Sequence, residues 1–238
     1  VPLLPGTGLL SGVEEAVTEA EKIGYPVMLK ACAGGGGRGI RLIRNADELE
    51  EAYMQAVSEA LGAFGDGSMY LEKYIYPARH VEFQVLADEF HNVVCLGERD
   101  CSVQRRNQKL IEETPSPAVD RNDRLHMIQL IADAVKKIGY VGAGTLEFLL
   151  DKDNNFWFME MNVRLQVEHC VTEILTGIDI VKWQIRIAAG IEFNFTQRDI
   201  RLDGSAIECR INAGNCGRLE MLHVPGGPSV RFDTCLVD

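Results

Sequence analysis

Glu147 and Glu160 occupy the two arms of what reads as one β-hairpin, Gly-Thr-Leu-Glu-Phe-Leu-Leu followed by Phe-Trp-Phe-Met-Glu-Met-Asn. The segment between them, Asp151-Lys152-Asp153-Asn154-Asn155, is rich in turn formers. A turn centred near Asp153 sets Glu147 almost opposite Glu160. Alternation along a strand puts Glu160 and Asn162 on one face. Cross-strand partners on a shared face lie about 5 Å apart. Two bare carboxylates at that separation repel by roughly 3 kcal/mol at an effective dielectric of about 20. A hard divalent cation offsets such repulsion, since carboxylate and amide oxygens are what Mg²⁺ prefers. Glu147, Glu160 and Asn162 therefore read as a magnesium site. The competing reading is an exposed, solvated pair of acids.

Asn162-Val-Arg-Leu-Gln-Val-Glu-His169 follows directly and carries Arg164 and Glu168 close to that site. An arginine can clamp a planar oxyanion through two parallel hydrogen bonds. A nearby carboxylate can take a proton from a bound acid. A structural Arg164–Glu168 ion pair is the alternative. Glu98-Arg-Asp-Cys-Ser-Val-Gln-Arg-Arg-Asn-Gln-Lys109 is the densest cationic stretch. Drawn as one extended strand, it exposes Arg105 and Lys109 on one face and Gln104 and Arg106 on the other. That suits a ribose hydroxyl or a small anion, or else a charged, solvated edge strand. His80, Arg210 and the cysteines are unremarkable by spacing alone.

Ala33-Gly-Gly-Gly-Gly-Arg-Gly39 contains G-x-G-x-x-G. A dinucleotide-binding turn opens a helix. Here Ile40-Arg-Leu-Ile43 reads as strand, which argues against a nicotinamide-dependent oxidoreductase, and the loop lacks a P-loop ending. It reads as a flap whose N–H groups could fold over phosphates, with Lys30 adding charge, or as a mobile linker.

The elements that must position these groups are legible as well. Ser11-Gly-Val-Glu14 reads as a capping box opening a helix that ends at Gly24 and Pro26. Residues 26–31 and 40–44 read as strands, and Asn45–Glu48 opens a helix to about Ala63. Residues 69–75, 80–87 and 93–97 are strand-like, and 114–119 is a loop. A helix spans about 122–138 and another 178–189. Lys-Ile-Gly-Tyr occurs at 22–25 and again at 137–140, marking two helix-to-strand transitions. Two such units fit two subdomains, divided near Tyr76-Pro77.

The 238 residues suffice for one large domain or two small ones, and 46 % hydrophobic with 25 % charged is ordinary for a globular protein. A net charge of −11 argues against general nucleic-acid or anionic-membrane binding. Seven cysteines with no Cys-x-x-Cys point to free thiols in a reducing cytosol. The five histidines show no zinc-ligand spacing. No apolar run approaches the ~18 residues of a membrane span. The chain begins at Val1, the expectation for a fragment, a processed product or an incomplete record.

Six motifs then occur in one order. They are Lys-Ala-x-Ala-Gly-Gly-Gly-Gly-Arg-Gly, Leu-Glu-Lys-Tyr, Ala-Arg-His-Val-Glu, Glu-Arg-Asp-Cys-Ser-Val-Gln-Arg-Arg-Asn-Gln-Lys, Met-Glu-Met-Asn-Val-Arg-Leu-Gln-Val-Glu-His and Glu-Cys-Arg-Ile-Asn. Together they resemble biotin carboxylase over almost the whole chain. The resemblance implies an α+β, ATP-grasp fold in which two α+β subdomains clamp MgATP, truncated at both ends relative to the family. Residues 1–75 would be the lid with the Gly-rich flap. Residues 76–238 would be the catalytic subdomain and part of the C-terminal region.

It also implies roles. Lys30, Gly36 and Gly37 would meet phosphates. Glu72, Lys73 and Ile75 would lie at the adenine, His80, Gln104 and Asn107 at the ribose. Glu147, Glu160 and Asn162 would hold Mg²⁺ or Mn²⁺. Lys109, Arg164, Gln166 and Val167 would surround bicarbonate, with Glu168 as its base, and Arg210 would stabilise the biotin enolate. ATP, bicarbonate and carrier-borne biotin would be consumed through carboxyphosphate, the first half-reaction of acetyl-CoA carboxylase. The same domain of a pyruvate, propionyl-CoA or urea carboxylase, or a nucleotide-binding module without turnover, are the alternatives. Implied partners are a biotin carboxyl carrier protein, a carboxyltransferase and a second copy of the chain, with no nucleic acid and no membrane, in the cytoplasm. Four departures stand out. The family's N-terminal domain is lacking. Asn107 stands where many members carry His. Gly214–Gly217 runs straight into Arg218, and the chain stops at Asp238, short of the family's full extent.

Overall fold

A computed structural model describes residues 1–34, 39–106, 108–212 and 221–234. The chain opens with helix α1 (Val13–Ile23), strand β1 (Val27–Ala31), strand β2 (Ile40–Ile43), helix α2 (Leu49–Phe64) and strand β3 (Met69–Lys73). These strands form an antiparallel sheet in the order β2-β1-β3. Alternation splits β1 cleanly. Val27, Leu29 and Ala31 are buried with Ala16 and Ala20 of α1 and Tyr53, Ala56 and Ala60 of α2. Met28 and Lys30 point the other way, opposite Glu72 and Tyr70 of β3. Small alanines on both helices let them lie close against the sheet.

Two local readings need amendment. Ser11 does precede α1, but Gly12 is the cap position, and the amide and hydroxyl of Ser11 both donate to Glu15, at 2.7 and 2.6 Å, rather than to Glu14. Asn45 accepts from the Glu48 amide as expected, but the turn it caps is a 3-10 segment, Ala46–Glu48, ahead of α2.

After Lys73 the chain enters a second sheet. Its elements are β4 (Ala78–Ala87), β5 (Val93–Arg105), β6 (Gln108–Thr114), helix α3 (Arg121–Ile138), β7 (Gly142–Asp151), β8 (Phe156–Asn162), helices α4 (His169–Thr176) and α5 (Ile180–Ala188), and β9 (Ala206–Cys209). All pairings are antiparallel, in the order β8-β7-β4-β5-β6-β9. The first copy of Lys-Ile-Gly-Tyr ends α1 with Gly24 at φ 81°, and the second ends α3 with Gly139 at φ 68°. This left-handed conformation is one that glycine adopts without strain, so both helices stop where their glycine stands.

One face of the second sheet packs on α3. Val81, Phe83 and Val85 of β4 meet Phe148 and Leu150 of β7 and Ile131 and Val135 of α3. Each fully buried side chain of this size contributes roughly 1.5–3 kcal/mol. Phe83 and Phe148 meet edge-to-face at 5.8 Å between ring centroids. The opposite face is divided along its length. At one end Leu86, Val94 and Leu96 pack on Ile180, Trp183 and Ile187 of α5. At the other end the same alternating positions are charged or polar: His80, Glu82 and Gln84 on β4, Thr145 and Glu147 on β7.

The cationic stretch after Glu98 is not one extended strand. β5 runs to Arg105, the chain turns at Arg106 with φ 52°, and β6 returns. Gln104 is thereby paired with Lys109, which moves Lys109 to the face of Gln104, not of Arg105. The two short elements α4 and β9 carry too few residues to reveal a period in the sequence. No helix among the described residues is long and apolar enough to cross a membrane.

Candidate active site

The β7–β8 register pairs Glu147 with Glu160, and the β4–β7 register pairs Glu82 with Glu147. Across β5–β4, Glu82 pairs with Arg99. Four adjacent strands thus align Arg99, Glu82, Glu147 and Glu160 in one transverse row on one face. Asp151 holds the hairpin that sets the outer part of this register. It accepts from the amides of Asp153 and Asn155 and, at 2.8 Å, from the Trp157 indole.

Three carboxylates so close require cations, and the chain brings them from outside the hairpin. Lys109 Nζ lies 2.5 Å from Glu82 Oε2, 3.1 Å from Glu147 Oε1 and 2.6 Å from Glu168 Oε1. Burial alone would depress the lysine's pKa, but Glu82 and its other acidic neighbours hold it well above the ordinary value. His80 Nε2 sits 2.8 Å from Glu147 Oε2. Burial works to raise the Glu147 pKa. The contacts with His80 and Lys109 overcome it and hold the carboxyl well below the usual range. Gln104 Nε2 reaches the other ring nitrogen of His80 at 3.0 Å.

Arg99 is wholly buried and spends its guanidinium inside the protein. It donates to Glu82 at 2.6 Å, to Gln84 at 2.9 Å, to Thr172 at 3.0 Å, to Thr145 at 3.3 Å and to Gln166 at 2.9 Å. Gln166 passes the constraint on, donating to Glu147 Oε1 at 2.8 Å. Spacing did not single out Arg99 or Glu82. The available signal was the run His80-Val-Glu-Phe-Gln-Val, whose alternating polar face has no place on a sheet buried on both sides unless the charges are paired.

The proposed metal ligands converge. Asn162 Nδ2 lies 2.9 Å from Glu147 Oε1 and 3.3 Å from Glu160 Oε1. Glu160 is exposed and has no cationic partner among the described residues. Two carboxylates, with the amide oxygen of Asn162 once its side chain turns over, fit a hard divalent cation. The charge of Glu147, by contrast, is already offset by His80 and Lys109, so the repulsion expected from the sequence falls chiefly on Glu160.

Glu168 immediately precedes α4, where a negative charge is favourable. Lys109 and Arg210 Nη2, the latter at 2.9 Å, both bind it. Burial opposes its ionisation, but Lys109 prevails and its pKa is lowered. The alternative Arg164–Glu168 pair is not formed. Arg164 is exposed, donates to the Leu165 carbonyl at 3.1 Å, and makes no ion pair among the described residues. Val167 is exposed beside it.

The first sheet closes the other side of a cleft of about 1240 Å³, lined from both sheets by residues that include Lys30, Glu72, Ile75, His80, Lys109, Glu160 and Arg210. Lys30 and Glu72 form an ion pair across the cleft-facing side of β1 and β3. Lys73 differs: its Nζ donates to the carbonyls of Gly24 at 2.6 Å and Tyr25 at 3.2 Å, so only its backbone remains free for a ligand. Gly36, Gly37 and Asn107 lie outside the described residues.

Two α+β units closing on a cleft floored by paired carboxylates define an ATP-grasp protein. The chain belongs to the family described as carbamoyl-phosphate synthase L chain, ATP binding domain, matched over residues 1–196. It is similar to the 2-oxoglutarate carboxylase small subunit of Hydrogenobacter thermophilus, at 54 % identity over 98 % of this chain and 51 % of that protein. Biotin carboxylase 1 of Bacillus subtilis is 51 % identical over 98 % of this chain and 54 % of its own length. Among solved structures, the Campylobacter jejuni biotin carboxylase–β,γ-ATP complex superposes with a TM-score of 0.86. It is 55 % identical and covers 88 % of this chain and 47 % of that one. The biotin carboxylase domain of the Hydrogenobacter enzyme, in complex with MgADP, ADP and bicarbonate, gives 0.87 at 57 % identity, over 90 % and 47 %. The chain spans about half the length of the curated relatives it matches.

Proposed function

We propose that this chain carries the ATP- and bicarbonate-consuming centre of a biotin carboxylase, which transfers a carboxyl group to carrier-borne biotin. The observation that carries the reading is the convergence of Lys109 and Arg210 on Glu168 beside the Glu147–Glu160 row. One part of the cleft then offers cations for an anionic acid and its base, and the adjoining part offers ligands for a nucleotide's cation.

Glu147, Glu160 and Asn162 would hold Mg²⁺ or Mn²⁺, which supplies neutralisation of the phosphate charge. Lys30 adds charge from the first sheet, and Ile75 with the backbone of Glu72 and Lys73 borders the adenine. His80 and Gln104, already joined, face the ribose, with Asn107 as a third candidate. Gly36 and Gly37 of the flap would cover the phosphates, and residues 1–75 would act as the lid over residues 76–238. Excluding water in this way protects a labile intermediate.

Bicarbonate would sit among Lys109, Arg164, Gln166 and Val167. Arg164, exposed and uncommitted, is the free clamp. An incoming anion competes with Glu168 for Lys109, which releases the Glu168 carboxylate to accept the bicarbonate proton. The deprotonated oxygen attacks the γ-phosphate, ADP leaves, and carboxyphosphate forms. It breaks down to CO₂ and phosphate. The phosphate takes the ureido proton of biotin, and the enolate, steadied by Arg210, adds to CO₂. Positioning and charge stabilisation are the protein's part.

The assay is ADP release dependent on bicarbonate, with carboxylation of free biotin, on protein expressed from its complete coding sequence. MgATP binding without turnover would instead favour a plain nucleotide-binding module. Acetyl-CoA carboxylase, with its biotin carboxyl carrier protein and carboxyltransferase, is the proposed setting. A second reading, a 2-oxo acid carboxylase, is favoured by the 54 % identity to the 2-oxoglutarate carboxylase subunit. Dimerisation and a cytoplasmic location belong to the same proposal. The first is supported by the dimer named for the Hydrogenobacter domain, the second by five free cysteines among the described residues.

A further inference from the structure

Glu112 is a buried acidic residue beside the cleft-lining Arg210 that nothing above uses. It lies on β6, three residues beyond Lys109, with its side chain fully buried. Neither of its carboxylate oxygens has a hydrogen-bond partner among the described residues. The nearest cation is Arg210, whose Nη2 lies 3.6 Å from Glu112 Oε1 and 2.9 Å from Glu168 Oε2. Arg210 Nε is likewise buried and unpartnered. The backbone secures the geometry from both ends: Glu112 pairs with Glu208 across β6–β9, and the Arg210 amide donates to the Leu110 carbonyl at 2.8 Å.

We propose that Glu112 is a positioning residue for Arg210, the fixed anion that holds the guanidinium at the cleft wall when Glu168 lets it go. The inference rests on the functional reading above, in which Glu168 accepts a proton and, once neutral, holds Arg210 less strongly. An arginine with a single, departing partner would swing freely. Here the same Nη2 already lies between two carboxylates, and the unpartnered Nε faces no competitor. Burial pushes the Glu112 carboxyl up to about 7. Arg210 pulls it down, Glu208 and Glu168 push it up, and Lys109 pulls it down. The group therefore ionises within the neutral range, and its grip on Arg210 strengthens as pH rises.

The test uses Glu112→Gln and Glu112→Asp in protein expressed from its complete coding sequence. The first readout needs no activity: phenylglyoxal modification of Arg210, measured by peptide mass relative to the exposed Arg105. The Gln variant is expected to raise that ratio about threefold or more at pH 8, with a smaller effect at pH 6, and the Asp variant to restore most of the protection. The second readout is the split between reactions. The kcat/KM for biotin is expected to fall about tenfold, with a clearly smaller loss in bicarbonate-dependent ATP hydrolysis. An unchanged labelling ratio, or equal losses in both reactions, overturns the inference. If Glu112→Gln does not fold, Glu112→Met takes its place, with the same rise in labelling expected and an unchanged ratio overturning the inference. If the unaltered protein shows no bicarbonate-dependent ATP hydrolysis, the functional reading fails, and the labelling ratio still decides the Glu112–Arg210 relationship.

Discussion

Arg99 Nη2 donates to Gln166 Oε1 at 2.9 Å, and Gln166 in turn donates to Glu147. A wholly buried guanidinium on β5 therefore fixes the loop after β8 against the carboxylate row. Its charge is matched by Glu82, and its hydrogen bonds to Gln84, Thr145, Thr172 and Gln166 satisfy the remaining donors. Burial would lower its pKa, but Glu82 reverses that and keeps the group charged. A buried ion survives when its geometry and hydrogen bonds are complete, and becomes costly when one partner is removed.

Arg99→Ala is accordingly expected to destabilise the protein by about 3–5 kcal/mol, because Glu82 would be left buried without its closely bonded guanidinium, with Lys109 and, at 4.0 Å, His80 beside it. Urea unfolding measures this. A loss below 1 kcal/mol would show that the network is not a structural keystone.

Glu160→Gln removes charge from an exposed position that binds no cation of the protein. The fold should survive, with Tm within about 2 °C of the parent, since surface substitutions of this kind cost little. Metal-dependent ATP hydrolysis should fall by a hundredfold or more. Turnover equal to that of the parent would refute the metal assignment.

Arg210→Ala should lower biotin carboxylation more than bicarbonate-dependent ATP hydrolysis, by at least about tenfold in the ratio of the two rates. The guanidinium borders the cleft beside Glu168 but touches none of the three proposed metal ligands. Equal losses would contradict a role specific to biotin.

Glu112 also makes stability depend on pH. Its folded pKa, about 7, lies above the ordinary carboxylate value. The folded state thus binds the proton more tightly than the unfolded one. The stabilisation is fully present below the unfolded pKa and is lost as pH rises to about 7. The span corresponds to about 3 kcal/mol. Glu112→Gln lacks this loss, so its Tm should gain on the parent's between pH 4.5 and 8. A constant Tm difference over that range would show that Glu112 does not titrate there.

Much of this arrangement was legible in the sequence. Asp151–Asn155 marked the turn, and counting outward from it matched Glu147 with Glu160. Period-two alternation then assigned Asn162 to the same face. These inferences hold because a tight hairpin ties register to chain separation, a local quantity. The cationic stretch misled for the converse reason: the turn at Arg106 demands a positive φ from a residue type that carries no turn signal.

What the sequence alone determined is therefore the local grammar: which residues pair across one hairpin, where glycines end helices, and which strand faces are polar. Only the tertiary structure decided that Arg99 reaches Gln166, that Lys109 joins three carboxylates, and that Arg210 stands between Glu168 and Glu112. Those contacts depend on the strand order β8-β7-β4-β5-β6-β9, which brings together segments separated by tens of residues. Pairing over such distances is selected by burial of the whole sheet, and no spacing within a single segment encodes it.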